Sequence, residues 1–252
     1  MIPYLPHPEI AFGPLRLSLF GLLVGIGVFL GFLTCLRVAH RAGLSVAEIG
    51  RVAPWALVPG FIGSATFRIF LYAPRELRER GWIALVDFGR GMSSYGGFIF
   101  ATLGVALYAW LYRRSFLQLT DVLVQGLAVG WVFGRLGCTF AHDHIGIATE
   151  FVLGVNYPDE TRHNLGLYEF LLTLGVLLPV LVLLHRRVRY RAGLFVVAVS
   201  LFYGPVRFVL DYLRVREAER MVGGFTAAQY LSLGLVLIGV GVASWGRGME
   251  ER

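Results

Sequence analysis

Residues 17–36 read Leu-Ser-Leu-Phe-Gly-Leu-Leu-Val-Gly-Ile-Gly-Val-Phe-Leu-Gly-Phe-Leu-Thr-Cys-Leu, twenty positions without a charged side chain. A helix of roughly twenty apolar residues covers the roughly 30 Å of hydrocarbon in a bilayer, so this stretch predicts a transmembrane helix. It is too long for a removable signal peptide, and no small-residue cleavage site follows it. Glycines at 21, 25, 27 and 31 suit a helix that packs closely against another in lipid. Six further blocks of the same kind follow at 52–73, 91–112, 119–141, 166–185, 192–213 and 226–245. Pro59 and Pro205 fall inside blocks, where membrane helices tolerate kinks. The expected fold is an all-α integral membrane protein. It forms a single polytopic domain of seven transmembrane helices over 1–252, with residues 142–165 as a short extracytoplasmic connection.

Composition agrees with the blocks. Of the 252 residues 56% are apolar and 15% charged, and the mean hydropathy is +0.67. A soluble domain carries about 25% charged residues, so a water-soluble enzyme is excluded. A disordered or collagen-like chain is excluded too, because the apolar residues come in long blocks. The net charge is +7, and every one of the 23 basic residues is arginine. Basic excess in a membrane protein ordinarily meets anionic lipid from the loops, which argues against a nucleic-acid partner. Cys35 and Cys138 lie far apart with no CxxC spacing, so there is no disulfide framework.

Orientation follows from the arginines between blocks. Eleven lie in the connections after blocks one, three and five and in the C-terminal segment; nine lie on the other side. The tight cluster Arg186, Arg187, Arg189 and Arg191 falls on the first side, while 142–165 holds one arginine and four acids. The expected topology has the N-terminus outside and the C-terminus cytoplasmic. Three arginines remain inside the blocks: Arg68, Arg135 and Arg207. A charge at the bilayer centre costs about 2.5–3.5 kcal/mol on insertion scales, so such residues face a polar cavity, bind an anion or pair. Either a polar, arginine-lined cavity forms, or they snorkel or pair with Asp121, Asp211 or Glu169.

Four polar segments interrupt the blocks. Gly91-Met-Ser-Ser-Tyr-Gly-Gly97 opens the third with glycines and hydroxyls. Ser93, Ser94, Tyr95, Gly96 and Gly97 form either an anion-binding helix start or a tightly packed one. Gly134-Arg-Leu-Gly-Cys-Thr-Phe-Ala-His-Asp-His-Ile-Gly146 is the densest polar run. Arg135 can fork two donors onto a phosphate. Cys138 and His142 share a face if the helix continues. His142, Asp143 and His144 suit a base with its orienting carboxylate, polar substrate contacts, metal ligands or a solvated helix cap. The spacing matches no common structural zinc site, so no metal and no cofactor are expected. Arg162-His-Asn-Leu-Gly-Leu-Tyr-Glu169 offers His163, Tyr168 and Glu169 as substrate contacts or as an interfacial anchor. Tyr203-Gly-Pro-Val-Arg-Phe-Val-Leu-Asp-Tyr-Leu-Arg214 puts Arg207 and Asp211 four apart on one face, as an ion pair or half of a phosphate site.

In this order, and with the closing Thr226-Ala-Ala-Gln-Tyr-Leu-Ser-Leu-Gly234, these motifs resemble the prolipoprotein diacylglyceryl transferase family. The resemblance implies a multi-pass enzyme of the bacterial cytoplasmic membrane built around a lipid-headgroup cavity. The family moves the diacylglyceryl group of phosphatidylglycerol to the lipobox cysteine of preprolipoprotein signal peptides. A thioether forms and glycerol phosphate is released; the implied partners are that lipid, lipobox peptides and the surrounding membrane lipids. Arg135 and Arg207 match family arginines that handle the headgroup phosphate; Gly134 and Gly137 match the glycines flanking the first. Asp211 stands where the family has Glu, and Tyr168-Glu169 matches its Leu-Tyr-Glu. Tyr95 replaces a family His, Cys138 replaces an Asn, and Asp143 sits near the usual acid. The phosphate-clamping half is retained and the proton-handling half rewritten. The catalytic set implied is Arg135, Arg207, His142, His144, Tyr95 and Asp143, with the histidine pair standing in for the missing His. The alternatives are a paralogue with another acceptor or lipid, and a non-catalytic lipid-binding or transport protein.

Overall fold

The computed structural model describes residues 1–6, 9–12, 15–72, 74–86, 93–215, 221 and 223–250. In chain order, β1 (Ile2–Pro3), β2 (Glu9–Phe12) and β3 (Leu15–Ser18) lead into α1 (Leu19–Val38). Then come α2 (Val46–Phe67), α3 (Pro74–Arg80), α4 (Ser94–Leu111) and α5 (Phe116–Ala141). Three short strands follow, β4 (Ile145–Ala148), β5 (Val155–Asn156) and β6 (Thr161–Asn164). The chain closes with α6 (Leu165–Leu172), α7 (Leu178–Arg187), α8 (Leu194–Leu210) and α9 (Ala227–Glu250). The protein is mostly helical, an integral membrane fold: six helical stretches among the described residues are long and apolar enough to cross a bilayer. They number up to seven if α2 and α3 count as one broken span: α2 passes through a π turn at Arg68–Tyr72 and breaks by 105° toward α3. The α6 and α7 segments are one span joined by a second π turn, Thr173–Leu177. The first two residues of the predicted block 91–112 lie outside the described residues; helix is present from Ser94.

Contacts divide the chain into two units, Met1–Val38 with Asp121–Arg252, and Ala39–Thr120. In the first, α1 and α5 approach through paired glycines. A Cβ at Gly31 would stand 2.7 Å from the Gly126 carbonyl oxygen, and one at Gly27 would stand 2.7 Å from that of Gly130. Such backbone approach replaces hydrophobic driving force, which lipid does not supply between helices. Asp121, fully buried, serves the start of α8 from another helix. Its carboxylate accepts the backbone N–H groups of Gly193 at 2.7 Å, Phe195 at 3.0 Å and Val196 at 2.9 Å. Asp121 thus satisfies orphan donors that Gly193, with no side chain, cannot. Asp121 was a possible partner for a buried arginine; its lone pairs are committed here instead. A four-stranded sheet in the order β1-β5-β6-β4 covers the junction of α5 and α6, with β1 parallel to β5 and the other pairs antiparallel.

In the second unit α2 packs along α4. Gly63 and Gly96 face each other so closely that a Cβ on either would collide with the other's carbonyl oxygen. Ser93 donates its backbone N–H to the Ser64 carbonyl at 3.1 Å, fixing the start of α4. At the other end Arg114 meets buried Glu48 at 2.8 Å. Arg68 is resolved here: its guanidinium donates to both oxygens of Glu76 at 3.2 Å, a neighbour across the π turn rather than Asp121, Asp211 or Glu169.

The glycine crossing gives a testable expectation. Gly31→Leu forces α1 off α5 and lowers the thermal midpoint in detergent, with an overpacking cost of about 1–3 kcal/mol. Gly25→Leu, where a Cβ meets nothing within 4 Å, leaves it unchanged in the same thermal scan.

Candidate active site

Three helices of the first unit each bring one side chain to a common point. Arg135 comes from α5, Glu169 from α6 and Arg207 from α8, and all three are buried. Glu169 lies between the two arginines, 3.0 Å from Arg135 Nε and 3.7 Å from Arg207 Nε. Tyr203, one turn before Arg207, donates its hydroxyl proton to Glu169 and accepts from Arg135 Nη2 at 3.3 Å. The Arg135 guanidinium also rests over the Trp131 ring, 4.3 Å from its centre. Cation–π contact and the shared carboxylate both reduce the cost of a cation in lipid.

The ion chain extends through Asp211 in the short 3-10 turn after α8. Asp211 lies 3.3 Å from Arg207 Nη1 and 4.0 Å from Arg214 Nη1, and it accepts the Thr226 hydroxyl. Thr226 is itself held by a capping box at the start of α9: its Oγ1 accepts the Gln229 N–H at 3.2 Å while Gln229 Oε1 accepts the Thr226 N–H at 3.1 Å. Arg214 Nη2 then reaches His144 Nδ1 at 3.4 Å. Arginine only donates, so Nδ1 accepts and the neutral ring carries its proton on Nε2, which faces Asp143 at 4.0 Å. Partial burial, with Arg135, Arg214 and Arg207 nearby, holds the imidazole well below its usual 6.5. Asp143 hydrogen-bonds Cys138, and Cys138 Sγ lies 3.9 Å from Arg135 Nη1. The side chains therefore close a ring: Arg135, Glu169, Arg207, Asp211, Arg214, His144, Asp143, Cys138. Three guanidiniums alternate in it with Glu169 and Asp211.

The two histidines separate. Helix α5 ends at Ala141 and His142 adopts φ +51°, so Cys138 and His142 do not share a helical face. His142 instead donates Nε2–H to the Leu5 carbonyl at 2.8 Å, and its Nδ1 lies 3.2 Å from the Tyr157 hydroxyl. It packs against the Tyr4 and Tyr157 rings. Tyr157 receives Asn164 Nδ2 at 3.2 Å. Asn164 in turn caps α6 through Leu167 N–H at 3.1 Å and donates to the Thr139 carbonyl at 3.0 Å. His142 thus belongs to a hydrogen-bonded strap across the α5–α6 junction. His163 and Tyr168 pair with each other, Nδ1 to Oη at 2.7 Å, beside the Phe151 ring. Burial lowers the His163 pKa. Of the two glycines around Arg135, Gly137 packs on Phe20, where a Cβ would stand 3.0 Å from the ring, whereas Gly134 opens on space.

Ser93, Ser94, Tyr95, Gly96 and Gly97 belong to the second unit. There Gly96 is a helix-packing glycine, Gly97 makes ordinary contacts at 3.6 Å and Ser94 is exposed. Ser93 Oγ is buried with no hydrogen-bond partner among the described residues, and Tyr95 is half-buried.

Sequence reasoning named Arg135, Glu169, Arg207 and Asp211 but passed over Tyr203, Arg214, Asn164 and Thr226. Arg214 lies three residues beyond Asp211, helical spacing for a second partner to the same carboxylate, and Thr-x-x-Gln is a readable capping signature.

A family model for prolipoprotein diacylglyceryl transferase matches residues 9–245. The phosphatidylglycerol–prolipoprotein diacylglyceryl transferase of Azotobacter vinelandii is 29% identical, covering 98% of each chain. That of Chromohalobacter salexigens is 30% identical over 97% of this chain and 94% of its own. That of Pseudomonas fluorescens is 29% identical over 96% and 95%. Matches of this extent take in every helix of the buried ion ring together with the strands that cover it, and the chain belongs to the prolipoprotein diacylglyceryl transferase family.

Proposed function

We propose that this chain transfers the diacylglyceryl group of phosphatidylglycerol to the cysteine thiol of a lipobox-containing preprolipoprotein signal peptide. The observation that carries the reading is the sharing of one buried carboxylate, Glu169, by two arginines on separate membrane helices. A phosphodiester carries one negative charge and two equivalent oxygens. It exchanges with part of the contacts that Arg135 and Arg207 now make with Glu169, Tyr203, Cys138 and Asp211, and the open space beside Gly134 adjoins Arg135 along the chain. The result is an arginine-lined headgroup cavity in the membrane.

Phosphate leaves an alkyl carbon slowly unless its developing charge is stabilised. Arg135 and Arg207 bind that charge more strongly as the C–O bond breaks, in a site whose low dielectric magnifies the effect. The acceptor thiol gives up its proton, the sulfur forms a bond to the glyceryl carbon, and the electron pair of the broken C–O bond leaves on glycerol phosphate. Thiol activation falls to the Cys138, Asp143 and His144 corner of the ring rather than to Tyr95. His163, Tyr168 and Asp211 hold the surroundings of the clamp. The topology that suits this chemistry has the N-terminus and the sheet outside, with Arg186–Arg191 cytoplasmic.

Purified protein incubated with labelled phosphatidylglycerol and a lipobox peptide should add one diacylglyceryl group to the peptide, read by mass spectrometry. Lipid binding without product under any condition identifies a binding or transport protein instead. Arg135→Lys and Arg207→Lys keep the charge and lose the fork, and each should lower the rate about 10²-fold. Glu169→Gln leaves two buried arginines without their shared charge, and the thermal midpoint should fall by the equivalent of about 3–5 kcal/mol. His142→Ala should loosen the strap and lower the midpoint while turnover per folded molecule persists; His144→Ala should abolish turnover. Full activity in both histidine variants rules out a role for the pair.

A further inference from the structure

Four arginines, Arg75, Arg78, Arg80 and Arg90, stand in the connection after the second hydrophobic block, more than in any other connection on the side expected to face outward. Basic residues gather by rule on the cytoplasmic side, so topology does not account for this group. Arg75, Arg78 and Arg80 belong to α3. Helix α2 has 22 residues, enough to cross the hydrocarbon, and its axis breaks by 105° toward α3. A span that follows the bilayer normal and then turns so sharply lays the next segment along the interface. Arg68, buried at the start of the π turn, donates to both oxygens of Glu76 and ties α3 across the bend.

With Glu76 committed to Arg68, the charges left on α3 are three arginines and Glu79. Arg75 and Arg78 are exposed and three apart, on one face of the helix. The 3-10 turn that follows, Gly81–Val86, opens with Trp82 at 78% and Ile83 at 66% exposure. Tryptophan is favoured at headgroup level, its ring against the acyl chains and its N–H in the wet layer. Arginine beside it keeps its stem on apolar surface and extends the guanidinium to the phosphates. Surplus positive charge next to exposed Trp and Ile at the end of a span is the composition of an interfacial segment that prefers anionic lipid.

We propose that α3 and the turn bearing Trp82 lie in the membrane interface and form a docking surface for anionic phospholipid headgroups. Arg75 and Arg78 attract the lipid phosphate, while Trp82 and Ile83 seat the segment at headgroup depth. Each arginine near a charged lipid surface contributes an attraction that corresponds to about fivefold in local lipid concentration. Phosphatidylglycerol carries one negative charge, so the surface concentrates the substrate lipid around this chain, a role that rests on the transferase reading above. Charges this exposed are screened by salt, and the enrichment fades as ionic strength rises.

The test uses the full-length protein in phosphatidylcholine nanodiscs that contain a small share of phosphatidylglycerol, with bromine on the acyl chains of one lipid or the other. Brominated chains quench nearby tryptophan, and the chain has five, so the Trp82 signal is the difference between the unaltered protein and Trp82→Phe. The expected result is quenching of Trp82 by both lipids, but by phosphatidylglycerol well beyond its share. That excess should fall about fivefold for each of Arg75→Gln and Arg78→Gln and disappear in high salt. The double variant should also raise the phosphatidylglycerol concentration at which transfer to a lipobox peptide is half-maximal. Trp82 out of reach of both lipids, or quenched by each in proportion to its share, overturns the surface. An excess that survives in the double variant overturns its assignment to α3. A lipobox peptide that shields Trp82 from both lipids makes this a peptide-binding face and overturns the proposal. Unchanged lipid dependence of transfer in the double variant overturns the supply role and leaves the transferase reading intact. The lipid preference with no product under any condition supports the surface and overturns the transferase reading.

Discussion

Glu169 is 1% exposed, and two arginines from different helices lean on it. Lipid offers no water to solvate a guanidinium and no polar partner except another part of the protein. Arg135 and Arg207 are therefore tolerable only if α5, α6 and α8 meet where Glu169 reaches both, with Asp211 as the second counter-charge beside Arg207. The rest of the first unit follows from that requirement. Gly27 and Gly31 let α1 close on α5, Asp121 anchors the start of α8 to α5, and the Thr226–Gln229 box seats α9 where Thr226 reaches Asp211. Charges that pair so fully also store a capacity for exchange: an anion that can replace part of what Glu169 supplies meets two cations already in position.

The hydrophobic blocks were legible because a helix in lipid must be apolar along its whole length, and Leu17–Leu36 declares this without reference to any partner. The broken second span was not, since the π turn at Arg68, the bend beyond it and the Glu76 pairing across that turn have no periodic signature. Arg135, Arg207 and Asp211 could be singled out as charges in the wrong solvent. Glu169 as their common partner could only be guessed, because its neighbours come from helices distant in sequence. The run His142-Asp143-His144 misled for a specific reason. Three adjacent polar residues look like one functional group, yet a left-handed residue at 142 sends its own ring toward Tyr157 and Leu5 while returning the next two to Cys138.

Glycine illustrates the same division between what a sequence shows and what a site uses. Gly96 and Gly137 stand in motifs that resemble substrate-contacting loops, but one faces the Gly63 backbone and the other the Phe20 ring. Gly134 is the glycine with room beside it, and it adjoins Arg135. Identical residue types in one short motif thus pack closely at one position and leave space at another, and only the neighbours across the helix interface tell them apart.

The small sheet carries a consequence in time. Ile2 pairs in parallel with Val155, so the first strand of the chain finds its partner only after five helices have been made. At synthesis rates of about 5–20 residues per second, β1 waits on the order of ten to thirty seconds for β5 to emerge. The strap of His142, Tyr157 and Asn164, to which Leu5 contributes its carbonyl, is completed in the same interval. The corner of the ring that holds Cys138 is thus sealed late in biogenesis, when α6 arrives with Glu169 and the buried cation of α5 first acquires its counter-charge.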